Sequence, residues 1–353
     1  MKSDDDKPMP HEQEPFTVGG FRPEDADGIV RLFRAVYGEG YPIRLFYDPA
    51  AITAANREGR YYSIVARAPA GEIVGATHLY NSAAPCKVLY EWGAGLVLKE
   101  YRNLGVNSHL GAFLLDNFIT RNPHIEEVFG EPVCNHPVLQ KAVIPLKFIE
   151  TAIEVALMPA EAYSREKSAA GRVATLTAFR CYKPKPHRIF LPPAYEQELR
   201  GIYARLDDAR DVVVSEGEIP GARPTKADLT VFDFARVARI AVPETGGDFS
   251  NRLAVLEGEA LLKNTVVFQV WLNLTEPWAG AAVDILRDRG YFFGGALPRW
   301  FDGDGFLMQK LLCPPDFESI VLVSDFAKQL LEFIKQDWRR AASRQENRPG
   351  KAE

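Results

Sequence analysis

The segment that most restricts the fold runs from Leu89 to Leu115. An apolar, strand-like stretch ends at Leu98, a charged turn follows from Lys99 to Leu104, and a helical pattern starts just past Gly105. A strand that feeds a glycine turn at a helix start gathers free backbone N–H groups and the positive end of the helix dipole at one point. That point suits a phosphate group. The alternative is a plain turn glycine at Gly105 with a solvated Arg102.

The flanking sequence reads as alternating strands and helices. Phe16-Thr17-Val18 is a short strand, and Arg22-Pro23-Glu24-Asp25-Ala26-Asp27 opens a helix reaching about Tyr37. Acidic residues in its first turn and Ile29, Leu32, Phe33 and Val36 at helical spacing support it. A second helix spans Pro49 to Glu58. Tyr61 to Arg67 and Glu72 to Tyr80 form a hairpin about Ala68-Pro69-Ala70-Gly71, and Val88 to Leu98 is the next strand. Val128 to Val133 is another strand, Asn135-His136-Pro137 begins a helix, and Phe148 to Met158 closes the set as a β-branched strand. A hairpin followed by strand, helix, strand, helix, strand fits a mixed α/β (α+β) domain with a crossover connection.

This order, with Arg102, Gly105 and Asn107 in its turn, resembles the GNAT superfamily of acyl-CoA-dependent N-acyltransferases. The family loop reads Arg or Gln, two residues, Gly, one residue, then Gly or Ala; Asn107 departs from the last position. The resemblance implies acetyl-CoA or another acyl-CoA as co-substrate. Its pyrophosphate would lie on the amides of Asn103, Leu104, Gly105, Val106, Asn107 and Ser108, beside Arg102. Its pantetheine would run along the strand edge at Leu96, Val97 and Leu98, and Asn135 joins the cofactor-binding set. The resemblance also implies a carboxylate base: Glu91, between Tyr90 and Trp92 on the strand before the loop, with Glu131 on the next strand as the second candidate. The family's acid, a tyrosine seven residues beyond an asparagine, falls on Ala142 when counted from Asn135. His136 and Cys134 are the nearby substitutes, with capping or packing as their other reading.

The second half repeats the pattern weakly. Arg172 to Tyr182 reads as a bridging strand, Pro193 to Leu206 as helix, Asp211 to Ser215 as extended and Leu229 to Ala241 as one strand. The turn Pro243-Glu244-Thr245-Gly246-Gly247-Asp248 leads to a helix from Phe249 to Leu262. Val266 to Leu274 is then a strand, Pro277 to Arg289 a helix and Gly290 to Gly295 an aromatic strand. That turn lacks the arginine and the spacing of the first, and Asp248 would repel phosphate. The expected organisation is a tail at 1–15, a GNAT acyl-CoA-binding domain at 16–160, a linker at 161–190, a degenerate GNAT-like domain at 191–322, a helix at 323–345 and a tail at 346–353. The final helix carries Phe326, Leu330, Phe333 and Ile334 on one face, which suits packing on a core or, as the alternative, a homodimer contact.

Composition narrows the class. A length of 353 residues suits two domains. An apolar fraction of 46% with 25% charged residues is that of a soluble globular chain. A net charge of -5 argues against a nucleic-acid partner, which requires a basic face. Cys86, Cys134, Cys181 and Cys313 form no Cys-x-x-Cys pair and read as reduced, buried thiols in a cytoplasmic protein, with no metal site. No apolar run reaches membrane-spanning length. Neither the Gly-x-x-x-x-Gly-Lys-Ser/Thr loop nor the Gly-x-Gly-x-x-Gly fingerprint occurs, which disfavours a nucleotide enzyme. The resemblance implies transfer of an acyl group, acetyl in the family's usual manner, to the primary amine of a small or amino-acid-like molecule. The alternative is a catalytically inert acyl-CoA-binding or sensing protein.

Overall fold

The computed structural model describes residues 15–82, 84–159, 171–206 and 209–346. Residues 1–14 of the expected tail at 1–15, residues 347–353 of that at 346–353, and residues 160–170 around the expected linker lie outside the described residues. The chain divides into two compact units: residues to Asn81 with Trp92–Pro123, and Ser82–Glu91 with residues from His124 onward.

The first unit is built on β1 (Thr17–Gly20), α1 (Ala26–Tyr37), α2 (Pro49–Arg57), β2 (Tyr61–Arg67), β3 (Ile73–Tyr80), the second part of β4 (Leu89–Val97) and α3 (Val106–Ala112). Its strands lie in the order β1-β2-β3-β4, and β1 and β3 both run antiparallel to β2. α2 starts where the sequence says it should. Asp48 accepts hydrogen bonds from Ala50 N (2.9 Å) and Ala51 N (3.2 Å), with Pro49 in the first turn. The Asp25 carboxylate, 4% exposed, takes the Arg67 guanidinium at 2.5 Å and fixes the start of α1 to β2. Phe33, Phe46, Ile52, Val65 and Leu96 fill the core beneath.

The second unit contains β5 (Glu127–Gly130), α4 (Val138–Val143), β6 (Ile149–Pro159), β7 (Arg172–Cys181), β8 (His187–Leu191), α5 (Glu196–Tyr203), β9 (Arg210–Val214), β10 (Lys226–Phe232) and β11 (Val237–Glu244). It continues with α6 (Phe249–Leu261), β12 (Val267–Asn273), α7 (Ala279–Asp288), β13 (Phe292–Leu297), β14 (Gly305–Leu311) and α8 (Asp325–Glu346). Its main sheet runs β5-β7-β6-β13-β14-β12-β11-β10, and Leu89–Glu91 of β4 pair in parallel with β5. β8 and β9 form a separate parallel pair. The sheet's mixture of parallel and antiparallel pairs makes this a mixed α/β fold.

One order of elements occurs twice: β4-α3-β5-α4-β6-β7 and β11-α6-β12-α7-β13-β14. In each, the first two strands are parallel and the last strand lies antiparallel between the second and third.

Two sequence expectations change. Leu229–Ala241 is two strands, because the chain turns at Asp233–Arg236, where Arg236 adopts φ +53° and its N–H reaches Asp233 O at 3.2 Å. The strand expected to reach Val133 stops at Gly130, ahead of Pro132, which has no N–H to donate. β8 and β14 had no sequence expectation. Of the four free cysteines, Cys86 and Cys134 are buried as expected and Cys181 and Cys313 are half-buried. The apolar face of α8 packs in the second unit, where Ile334 is fully buried and Phe333 meets Phe293 and Tyr195. Among the described residues no helix is long and apolar enough to cross a membrane.

Candidate functional site

β4 changes character midway. Leu89, Tyr90 and Glu91 pair with Glu127, Val128 and Phe129 of β5, and among the described residues the ladder between the two strands covers these three positions. Ala94 follows, at φ +49°, a left-handed kink of the kind that makes a bulge bend its strand. Beyond it Leu96 and Val97 are buried, and the Leu98 N–H donates to Val74 O at 2.9 Å. A strand edge kinked in this way offers main-chain donors and acceptors to an extended, amide-containing ligand.

The turn follows directly. Arg102, Asn103, Leu104, Asn107 and Ser108 are exposed, and Val106 is buried. Gly105 sits at φ +77°, ψ 7°, a left-handed conformation that glycine adopts without strain, and α3 begins at the next residue. No described side chain caps α3, and its first backbone bond is from His109 N to Gly105 O at 3.1 Å. The helical path continues from α3 through a π-helical stretch, Phe113–Phe118, and a short turn, Ile119–Arg121. Arg102 turns back along the strand, its Nε 3.3 Å from Val97 O, so it braces the strand end. The Asn107 Oδ1 lies near Gly95 of β4, 3.9 Å from where a β-carbon would stand.

The equivalent turn between β11 and α6 is filled by the chain itself. Thr245 N donates to Glu276 Oε2 at 2.8 Å, Gly246 N to Thr225 Oγ1 at 3.0 Å, and Gly247 N to Arg223 O at 3.0 Å. A β-carbon on Gly246 would stand 2.0 Å from Arg223 O, so the segment leaves no room for a further group. Asp248 accepts from Thr225 N at 2.7 Å, which holds its carboxyl below the usual range and keeps it negative at the start of α6.

In the second unit, residues two apart on neighbouring strands stack into layers, because strand side chains alternate between faces. Leu89, Phe129, Ala152, Trp271 and Leu307 form an apolar layer with Trp300 and Ala241 packed against it. Two residues along, β4, β6, β12, β14 and β11 carry Glu91, Glu154, Gln269, Gln309 and Arg239, and Glu131 directly follows the end of β5. Glu154, 1% exposed, meets Arg239 Nη2 at 3.2 Å and Thr175 Oγ1 at 3.4 Å. Arg239 Nε donates to Gln269 Oε1 at 2.8 Å, and its guanidinium lies 5.1 Å from the centre of the Trp271 ring. Burial opposes the charge on Arg239, but Glu154, Glu131 and Glu91 outweigh it and keep the guanidinium protonated. Burial, then the charges of Glu154 and Glu91, push the Glu131 carboxyl well above its usual value, with Arg239 pulling the other way.

Glu91 and Glu131 therefore belong to one electrostatic cluster, and sequence reading missed its other members. The signal was a charged residue inside an apolar strand: Glu154 between Ile153 and Val155, and Arg239 between Ala238 and Ile240. Asn135 and His136 lie in the half-buried turn before α4. Cys134 is 1% exposed, and burial followed by the Glu150 charge pushes its thiol up to about 12, leaving it a poor proton donor near neutral pH. Tyr291, Phe292, Phe293 and Trp300 are core residues. A cleft of about 500 Å³ lined by Cys86, Val88, Glu244 and Phe301 includes none of the expected site residues.

No family model matches the sequence, and no curated protein matches it. Solved structures resemble about half of the chain. The ribosomal-protein-S5-alanine acetyltransferase from Vibrio fischeri is 13% identical with a TM-score of 0.38, covering 48% of this chain and 94% of that one. The ribosomal-protein-S18-alanine N-acetyltransferase from Escherichia coli is 14% identical with a TM-score of 0.37, covering 48% and 96%. Mutant forms of the spermidine/spermine N-acetyltransferase from Vibrio cholerae are 14% identical with a TM-score of 0.37, covering 47% and 94%.

Proposed function

We propose that the chain is a GNAT-type N-acyltransferase with two tandem repeats, of which the first binds acyl-CoA. The observation that carries the reading is the course of β4: laddered to β5 at Leu89–Glu91, kinked at Ala94, and leading past Val97 into the Gly105 turn, where no described side chain caps α3. A kinked strand edge suits the amides of pantetheine. Exposed amides at a helix start suit a pyrophosphate. The repeated order of elements supports the tandem arrangement, and the filled turn after β11 supports a second repeat without a cofactor site.

In this reading Leu96, Val97 and Leu98 hold the pantetheine, the turn from Arg102 to Ser108 holds the pyrophosphate, and Asn135 contributes from the turn after β5. The carboxylate pair Glu91 and Glu131 takes one proton from the ammonium of a small primary amine. A carboxyl raised by burial is a stronger base near neutral pH than a solvated one. The amine nitrogen attacks the thioester carbonyl carbon; the C–N bond forms, the C–S bond breaks, and the nitrogen's second proton leaves with the CoA thiolate as free thiol. The protein is expected to work in the cytoplasm.

The test is release of free thiol from acetyl-CoA across a panel of primary amines, native chain against Glu91→Gln. Amine-dependent release that the variant loses supports the reading. Acetyl-CoA binding with no release for any amine leaves an inert acyl-CoA-binding protein instead.

A further inference from the structure

The polar layer of the second unit contains more donors than the chain satisfies. Gln269 is fully buried; its Oε1 accepts from Arg239, while its Nε2 has no hydrogen-bond partner among the described residues. Trp271, two residues on and on the same face of β12, is 3% exposed, lies against the Arg239 guanidinium, and its Nε1 likewise has no partner there. Buried donors are rarely left unmade, so two of them two residues apart on one face of β12 are positions that a ligand acceptor would satisfy. Beside them stand the carboxyl groups of Glu91, Glu131 and Glu154 and the single guanidinium of Arg239; burial and its neighbours push Glu131 toward its protonated form, and Glu91 and Glu154 still outnumber the one cation.

This combination selects a ligand by its two ends. The excess of carboxylates attracts an ammonium and repels a further carboxylate. The two N–H donors require an oxygen, and the charge balance requires that oxygen to be neutral. We infer that Glu91, Glu131, Glu154, Arg239, Gln269 and Trp271 form the acyl-acceptor subsite, and that the acceptor is a primary amine carrying a neutral oxygen, such as an amino alcohol or an amino sugar. The inference rests on the acyl-transfer reading above and names its substrate class. Arg239, Gln269 and Trp271 come from β11 and β12, so the second repeat supplies the selectivity while lacking a cofactor turn. A free amino acid adds an unwelcome negative charge. A diamine leaves both donors unpaired, and sites built to bond a substrate hydroxyl discriminate strongly against analogues without one.

The test is a three-carbon series in which only the far end changes: 3-amino-1-propanol, propylamine, 1,3-diaminopropane and β-alanine. Binding to the full chain is measured by saturation-transfer NMR and calorimetry, and turnover by thiol release from acetyl-CoA. The aminopropanol is expected to bind and react at least about tenfold better than the other three, a difference of about 1.4 kcal/mol. In Gln269→Leu and Trp271→Phe the ratio of aminopropanol to propylamine falls toward one. Turnover without that preference overturns the inference and leaves acyl transfer standing. Selective binding that both variants weaken, with no thiol release, upholds the subsite and overturns acyl transfer. Neither binding nor release overturns both.

Discussion

The two strand-to-helix turns, β4 into α3 and β11 into α6, occupy the same place in a repeated order of elements and differ in what their amides meet. In the first, exposed residues from Arg102 to Ser108 surround a left-handed Gly105, and no described side chain caps the helix. In the second, Thr245, Gly246 and Gly247 donate to Glu276, Thr225 and Arg223, and Asp248 adds a negative charge. A helix start is an anion site only while its donors face solvent, and a few residues of chain laid across them convert it into structure. The glycines show the same contrast. Gly105 is needed for its backbone angle, Gly246 because another backbone passes where a side chain would be.

Substitutions at the two glycines should therefore fail in different ways. Gly105→Glu puts a strained, negative residue at the proposed anion site; acetyl-CoA affinity by calorimetry is expected to fall roughly hundredfold, about 2.7 kcal/mol, with about 1 kcal/mol of stability lost to the left-handed backbone angle. Gly246→Ala forces its β-carbon against Arg223 O and is expected to cost about 1–3 kcal/mol in denaturant unfolding, with acetyl-CoA affinity unchanged. Equal effects of the two on cofactor affinity would break the comparison.

The chemistry gives a third effect. Because burial raises the Glu131 carboxyl, it is protonated at mildly acidic pH, and kcat/KM should rise with pH as it ionises. Stability has the opposite sign: the folded state holds this proton more tightly than the unfolded one, so the contribution is complete below the usual carboxylate pKa of about 4.3 and lost as pH rises through the raised value. Glu131→Gln should flatten both profiles and lower kcat/KM at least about tenfold at neutral pH. Unchanged profiles would remove Glu131 from the carboxylate pair.

The smallest effect sharpens the comparison at the closed turn. Thr225→Val removes the hydroxyl that accepts from Gly246 N and is expected to cost about 1 kcal/mol, without creating a second acetyl-CoA site. A second site in that variant would show that one hydroxyl, not the whole segment, closes the turn.

What the sequence disclosed follows from range. Leu96 to Ser108 lie within a short stretch in which apolar alternation, a glycine turn and a helical pattern follow one another, so strand, turn and helix were legible together. The Glu154–Arg239 pair was not, because two strands far apart in sequence must first take their places in the sheet. The sequence marks Asp248 as unfavourable to phosphate, but nothing in Gly221 to Thr225 announces that this segment covers the turn. Only the packing of Gly246 and Gly247 against it reveals its task. The break in Leu229–Ala241 escaped because Arg236 takes a left-handed angle that its residue type does not announce.

The most direct measurement is the stoichiometry of acetyl-CoA binding by titration calorimetry on the full chain, on Gly105→Glu and on Gly246→Ala. One site per chain is expected, lost in the first variant and kept in the second. Two sites per native chain, no binding at all, or a site that survives Gly105→Glu would contradict the assignment of the cofactor to the first turn.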